Sequence, residues 1–76
     1  MSETQEIEIM KCWLFRNAAL RWHRSPGEVA DLFKNYHLYE FISDSYELLH
    51  VSGYDCALDD LESILSANGV DVYAQA

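Results

Sequence analysis

The sequence predicts an all-α domain, a compact bundle of four to five short helices. Three observations carry that prediction. Residues 4–23 contain neither Gly nor Pro, and their apolar side chains recur at helical spacing. Ser25-Pro26-Gly27-Glu28 has the composition of a helix start. The remaining apolar residues also recur every three or four positions, and the stretches they form end at Gly53 and at Asn68-Gly69.

The first helix is expected over residues 4–23, with Ser2 or Thr4 as its cap and glutamates in its first turn, where negative charge favours the helix dipole. At 100° per residue it carries two apolar stripes. One is Ile7, Leu14 and Ala18, flanked by Phe15 and Trp22. The other is Ile9, Trp13 and Leu20, with Met10 between the two. A helix apolar on two sides is either central to its fold or serves both a core and a partner. In a chain of 76 residues, full enclosure of a central helix is hard to build. Ile9, Trp13 and Leu20 are therefore candidate anchors for a protein partner or a second copy.

In the second helix Ser25 suits the N-cap, Pro26 the first helical position and Glu28 the third. Val29, Leu32, Phe33 and Tyr36 form its inward stripe, up to about Asn35. Leu38 to Ile42 reads as one or two helical turns with Leu38, Phe41 and Ile42 inward. Ser43 or Asp44 then caps a short helix carrying Tyr46, Leu49 and His50, whose three- and four-residue spacing places them on one inward face. Gly53 ends it, in a position suited to positive φ. The last helix is expected over residues 57–67, with Leu58, Leu61, Ile64 and Leu65 inward and Asp59, Asp60 and Glu62 in solvent. Residues 70–76 read as a mobile tail of this single domain.

The net charge of −8 is unevenly spread. All five Lys and Arg residues (Lys11, Arg16, Arg21, Arg24, Lys34) lie in the first 34 positions, and from Asn35 onward there are eight acids and no Lys or Arg. Nucleic-acid binding depends on basic residues that neutralise phosphates, so the C-terminal half is a poor candidate. It suits either solubility or a basic partner surface, with acids such as Asp55 and Asp59 steering the encounter. The clustered bases Arg16, Arg21 and Arg24 are not followed by a helix rich in Arg, Lys, Asn or Gln, which argues against a DNA-reading unit. No apolar run reaches the roughly 20 residues of a membrane span. With two cysteines and a polar, acidic N-terminus in place of a signal peptide, the expectation is a reduced, cytoplasmic protein.

Residues that carry catalysis or hold cofactors are not arranged for it. His23, His37, His50, Cys12 and Cys56 lack the close pairs of zinc sites. Cys56 with His50 would need a proximity that their spacing permits without implying. Asp55, Asp59 and Asp60 lack the Gly and terminal Glu of an EF-hand loop. Phosphate-binding and nucleophile-elbow motifs are absent. No enzyme activity, metal or cofactor is expected. His50 reads first as a structural hydrogen-bonding group, to a carbonyl or to Tyr46, and second as a partner-contacting or pH-sensitive one. Tyr46 reads as a core aromatic with its hydroxyl satisfied.

Ser25-Pro26-Gly27-Glu28-Val29, Leu32-Phe33, Leu38-Tyr39-Glu40-Phe41-Ile42, Tyr46-Glu47-Leu48-Leu49-His50-Val51-Ser52-Gly53 and Leu58-Asp59-Asp60-Leu61 follow one another in an order that resembles a family of small bacterial domains of unknown function. The resemblance covers about residues 13–66. Its most specific unit is Tyr-x-x-Leu-His-x-x-Gly, carried here by Tyr46, Leu49, His50 and Gly53. Phe41 stands where the family often has Tyr, Val51 where Thr is frequent, and Arg16-Asn17 where Ile-Glu is frequent. Genes of that family often lie beside one for a domain that looks like an ADP-ribosyltransferase. The resemblance thus implies one half of a toxin–antitoxin-like pair, the small helical protein binding its enzyme neighbour. The alternative is a homo-oligomer with a structural or regulatory role.

Overall fold

A computed structural model of the chain describes residues 2–73. Its five helices are α1 (Glu3–Trp22), α2 (Pro26–Asn35), α3 (Leu38–Asp44), α4 (Tyr46–Ser52) and α5 (Tyr54–Ala67), and the described residues contain no strand. The all-α bundle is as the sequence predicts.

The two longest local signals are realised in detail. Ser2 caps α1: its hydroxyl accepts from the Gln5 amide while the Gln5 side chain accepts from the Ser2 amide. Ser25 and Glu28 make the same reciprocal pair at α2, with Pro26 in the first turn. Glu28 also accepts from Arg24 Nη1 at 3.1 Å. That hydrogen bond, followed by those from Ser25, holds the Glu28 carboxyl below its usual pKa.

One core gathers from all five helices. α1 contributes Met10, Leu14, Ala18 and Trp22, one every fourth residue along a single face. Val29 and Phe33 come from α2, Leu38 and Ile42 from α3, Tyr46 and Leu49 from α4, and Ala57, Leu58, Leu61 and Leu65 from α5. Phe33 is the aromatic centre, with ring centroids 5.6 Å from Phe15, 6.4 Å from Trp22 and 5.1 Å from Tyr39. The edge-on arrangements with Phe15 and Tyr39 suit the ring quadrupoles. Ile7, Phe15, Leu32, Tyr36, Phe41 and Ile64 pack half-buried around this core.

Local details differ from the sequence reading. α3 runs through Ser43 and Asp44, so neither caps α4. The single residue Ser45 joins the two helices, without a side-chain cap bond. α5 begins at Tyr54 rather than near residue 57, because Gly53 is both the end of α4 and the start of α5. Its φ of 92° and ψ of 162° lie where residues other than Gly are strained, and this sharp turn takes the place of a loop. Nor is the segment after α5 loose as far as Tyr73. Val72 is buried, Arg24 Nε donates to the Val72 carbonyl at 3.1 Å, and Arg24 Nη2 donates to that of Asp71 at 3.3 Å. The rest of the expected tail lies outside the described residues.

A candidate protein-docking face on α1

α1 is covered on one side only. Trp22 and Phe15 meet Phe33 of α2. The opposite side carries Ile9, Trp13 and Leu20, which remain 48 %, 40 % and 73 % exposed. Glu8, Cys12, Arg16 and Asn17 complete the shallow groove around them. The Trp13 ring is held rather than loose: its centroid lies 4.4 Å from that of Tyr54. An anchor that is pre-positioned loses little side-chain entropy on binding. A second, smaller apolar exposure lies on α4, where Leu48 and Val51 are 66 % and 84 % exposed.

The two acids assigned to steering are placed differently. Asp55 is exposed and has no ion pair among the described residues. Asp59 accepts from Arg21 Nη2 at 2.7 Å, so its charge is matched within the fold. Glu62, expected in solvent with Asp60, is instead a junction. Its Oε2 accepts from Trp22 Nε1 at 3.0 Å, Arg21 Nε at 3.1 Å and Tyr73 Oη at 2.9 Å, tying α1, α5 and the last described residue together. Its partners are 11 to 41 residues away, too far for sequence spacing to reveal.

The Tyr46–His50 face is only partly inward, which corrects the sequence reading. Leu49 is fully buried and Tyr46 nearly so, but His50 is exposed and stacks its ring on that of Tyr46, centroids 5.5 Å apart. The Tyr46 hydroxyl donates to Glu6 Oε2 at 2.8 Å rather than engaging His50. That bond to a carboxylate, with burial adding to it, pushes the Tyr46 phenol up to about 12. Tyr46 thereby fastens α4 to the first turns of α1, and Gly53 directs the chain from α4 into α5.

Cys12 and Cys56 are both exposed free thiols. No group of three or more His, Cys, Asp or Glu among the described residues could hold a metal ion. No helix of the described residues is long and apolar enough to cross a membrane. Of the three clustered arginines, Arg21 is engaged by Asp59 and Glu62 and Arg24 by Glu28, whereas Arg16 has no ion pair among the described residues. This basic patch is therefore largely neutralised within the fold.

Comparison with known proteins finds no match among curated proteins and none among solved structures. A family model described as "Protein of unknown function (DUF3791)" matches residues 10–68, the span from the core face of α1 to the end of α5, and the chain belongs to that family.

Proposed function

We propose that the chain is a non-enzymatic, cytoplasmic protein-binding domain that docks a partner through the outer face of α1. The observation that carries this reading is the exposure of three large apolar side chains, Ile9, Trp13 and Leu20, on the side of α1 opposite its buried stripe. Trp is enriched among the residues that dominate binding energy, and a central aromatic flanked by aliphatic side chains is a common anchor arrangement. Asp55 keeps a steering role in the proposal, whereas the role of Asp59 is to hold Arg21.

The family resemblance supports one choice of partner: an ADP-ribosyltransferase-like enzyme encoded next to the chain, with the chain as its antitoxin-like half. The acidic C-terminal half is compatible with a basic surface on that enzyme. The test is co-expression of the tagged chain with the neighbouring enzyme, followed by calorimetric titration of the purified pair. Trp13→Ala and Leu20→Glu are expected to weaken binding by about thirtyfold or more, the loss of a binding hot spot, with unchanged helical circular dichroism. Binding of wild-type strength in both variants would overturn the assignment of this face.

A further inference from the structure

The side of α1 turned away from the core carries a regular seam. Ile9, Trp13, Arg16 and Leu20 follow at intervals of four, three and four residues, and all four are exposed. This is the spacing by which one helix lines up against another in a coiled coil. It also reads the same from either end. A second copy laid antiparallel across a twofold axis therefore sets Ile9 against Leu20 and Trp13 against Arg16, each pairing occurring twice.

The chemistry matches at every step. Aliphatic meets aliphatic. Arg16, which has no ion pair among the described residues, meets an indole that rests on Tyr54 with 40 % of the residue still exposed. A guanidinium over an indole face is a favourable cation–π contact. The antiparallel arrangement also places the first turn of α1, with Glu3, beside the last turn of the other copy, so the two helix dipoles oppose. A closed twofold interface requires that residue i contact j while j contacts i, and this seam meets that condition as it stands.

We propose that the free chain forms a twofold dimer through this seam, with the two α1 helices antiparallel, Ile9 packed on Leu20 and Trp13 on Arg16 of the second copy. The proposal uses the face assigned above to partner binding, and a protein partner that takes that face displaces the second copy.

Sedimentation equilibrium of the full chain at physiological salt, from low micromolar to near-millimolar concentration, is the first test. A concentration-dependent shift from the monomer to the dimer mass is expected. Leu20→Glu, which sets a carboxylate against Ile9, should raise the dimer dissociation constant by at least about tenfold. Its circular dichroism should stay that of the wild type, because Leu20 contributes nothing to the core. The second test fixes direction. With Cys12 and Cys56 replaced by Ser, Ile9→Cys and Leu20→Cys chains are expected to form a disulfide dimer on oxidation when mixed, and neither should do so alone. A monomer at every concentration, a dimer untouched by Leu20→Glu, or cross-linking of Ile9→Cys with itself would overturn the proposal. A monomer that still binds the neighbouring enzyme leaves the partner-binding reading standing, and a dimer that does not bind it leaves this one standing.

Discussion

Replacing Glu62 with Ala tests how the C-terminal part of the chain is held on α1. The Glu62 carboxylate is about one-fifth exposed, and one of its oxygens takes three hydrogen bonds. The three losses are unequal. Arg21 and Tyr73 are exposed enough to rehydrate, and each contributes on the order of 0.5 kcal/mol or less. Trp22 is only 2 % exposed, and its indole N–H would be left without a partner, which costs about 1–3 kcal/mol. The expected destabilisation is therefore about 1–4 kcal/mol, a fall of roughly 4–30 °C in the melting temperature of a domain this small. Urea titration followed by circular dichroism measures it. Glu62→Gln, which keeps an acceptor oxygen, should recover part of the loss. Combining Glu62→Ala with Trp22→Phe should give a coupling energy of about 1–2 kcal/mol, because either change alone breaks the same bond. Additive effects of the two substitutions, or a loss below about 0.5 kcal/mol for Glu62→Ala, would refute the reasoning.

Other parts of the structure give equally direct predictions. Among the five tyrosines, Tyr46 should titrate late, near pH 12, in the phenolate absorbance, and Glu6→Gln should bring it back toward about 10. Its neutral form is favoured in the folded state, so its contribution to stability is complete below about pH 10 and disappears as pH rises through about 12; Tyr46→Phe should remove that alkaline loss. Gly53→Ala should cost about 1–3 kcal/mol by chemical denaturation even though a Cβ there meets nothing within 4 Å, because the strain lies in the backbone angles. His50→Ala should change stability by no more than about 0.5 kcal/mol, since only one ring contact with Tyr46 is lost at an exposed site.

Local chemistry was the most legible part of the chain. The Ser25-Pro26-Gly27-Glu28 start is written in four adjacent residues, and the cap forms from those residues alone. The two stripes of α1 were visible because twenty residues give several turns over which a 3.6-residue period can be resolved. A seven-residue helix gives fewer than two turns. In α4, Tyr46, Leu49 and His50 do share a broad face, but where that face is centred depends on the packing of α5 and α1, which leaves His50 outside. The immediate start of α5 after Gly53 was hidden for a related reason: a glycine marks the end of one helix without stating how soon another begins. Pairings across the chain were the least legible. Arg21 with Asp59, Trp22 with Glu62, Arg24 with the Val72 carbonyl and Tyr46 with Glu6 join residues 38 to 48 positions apart, and sequence spacing carries no trace of them. Of the candidate docking residues, the apolar three were legible as the second stripe of α1, whereas the involvement of Arg16 and the commitment of Asp59 to Arg21 emerge only in three dimensions.

Chemical-shift mapping tests the docking face most directly. With the chain labelled with nitrogen-15 and the proposed ADP-ribosyltransferase-like partner added unlabelled, the largest amide shifts are expected at Ile9, Trp13, Arg16 and Leu20. The Trp13 indole N–H should move strongly, and that of Trp22, bound to Glu62 inside the fold, should stay in place. Binding that leaves those four positions unmoved, and perturbs Leu48 and Val51 on α4 or the acidic surface of α5 instead, would contradict the account.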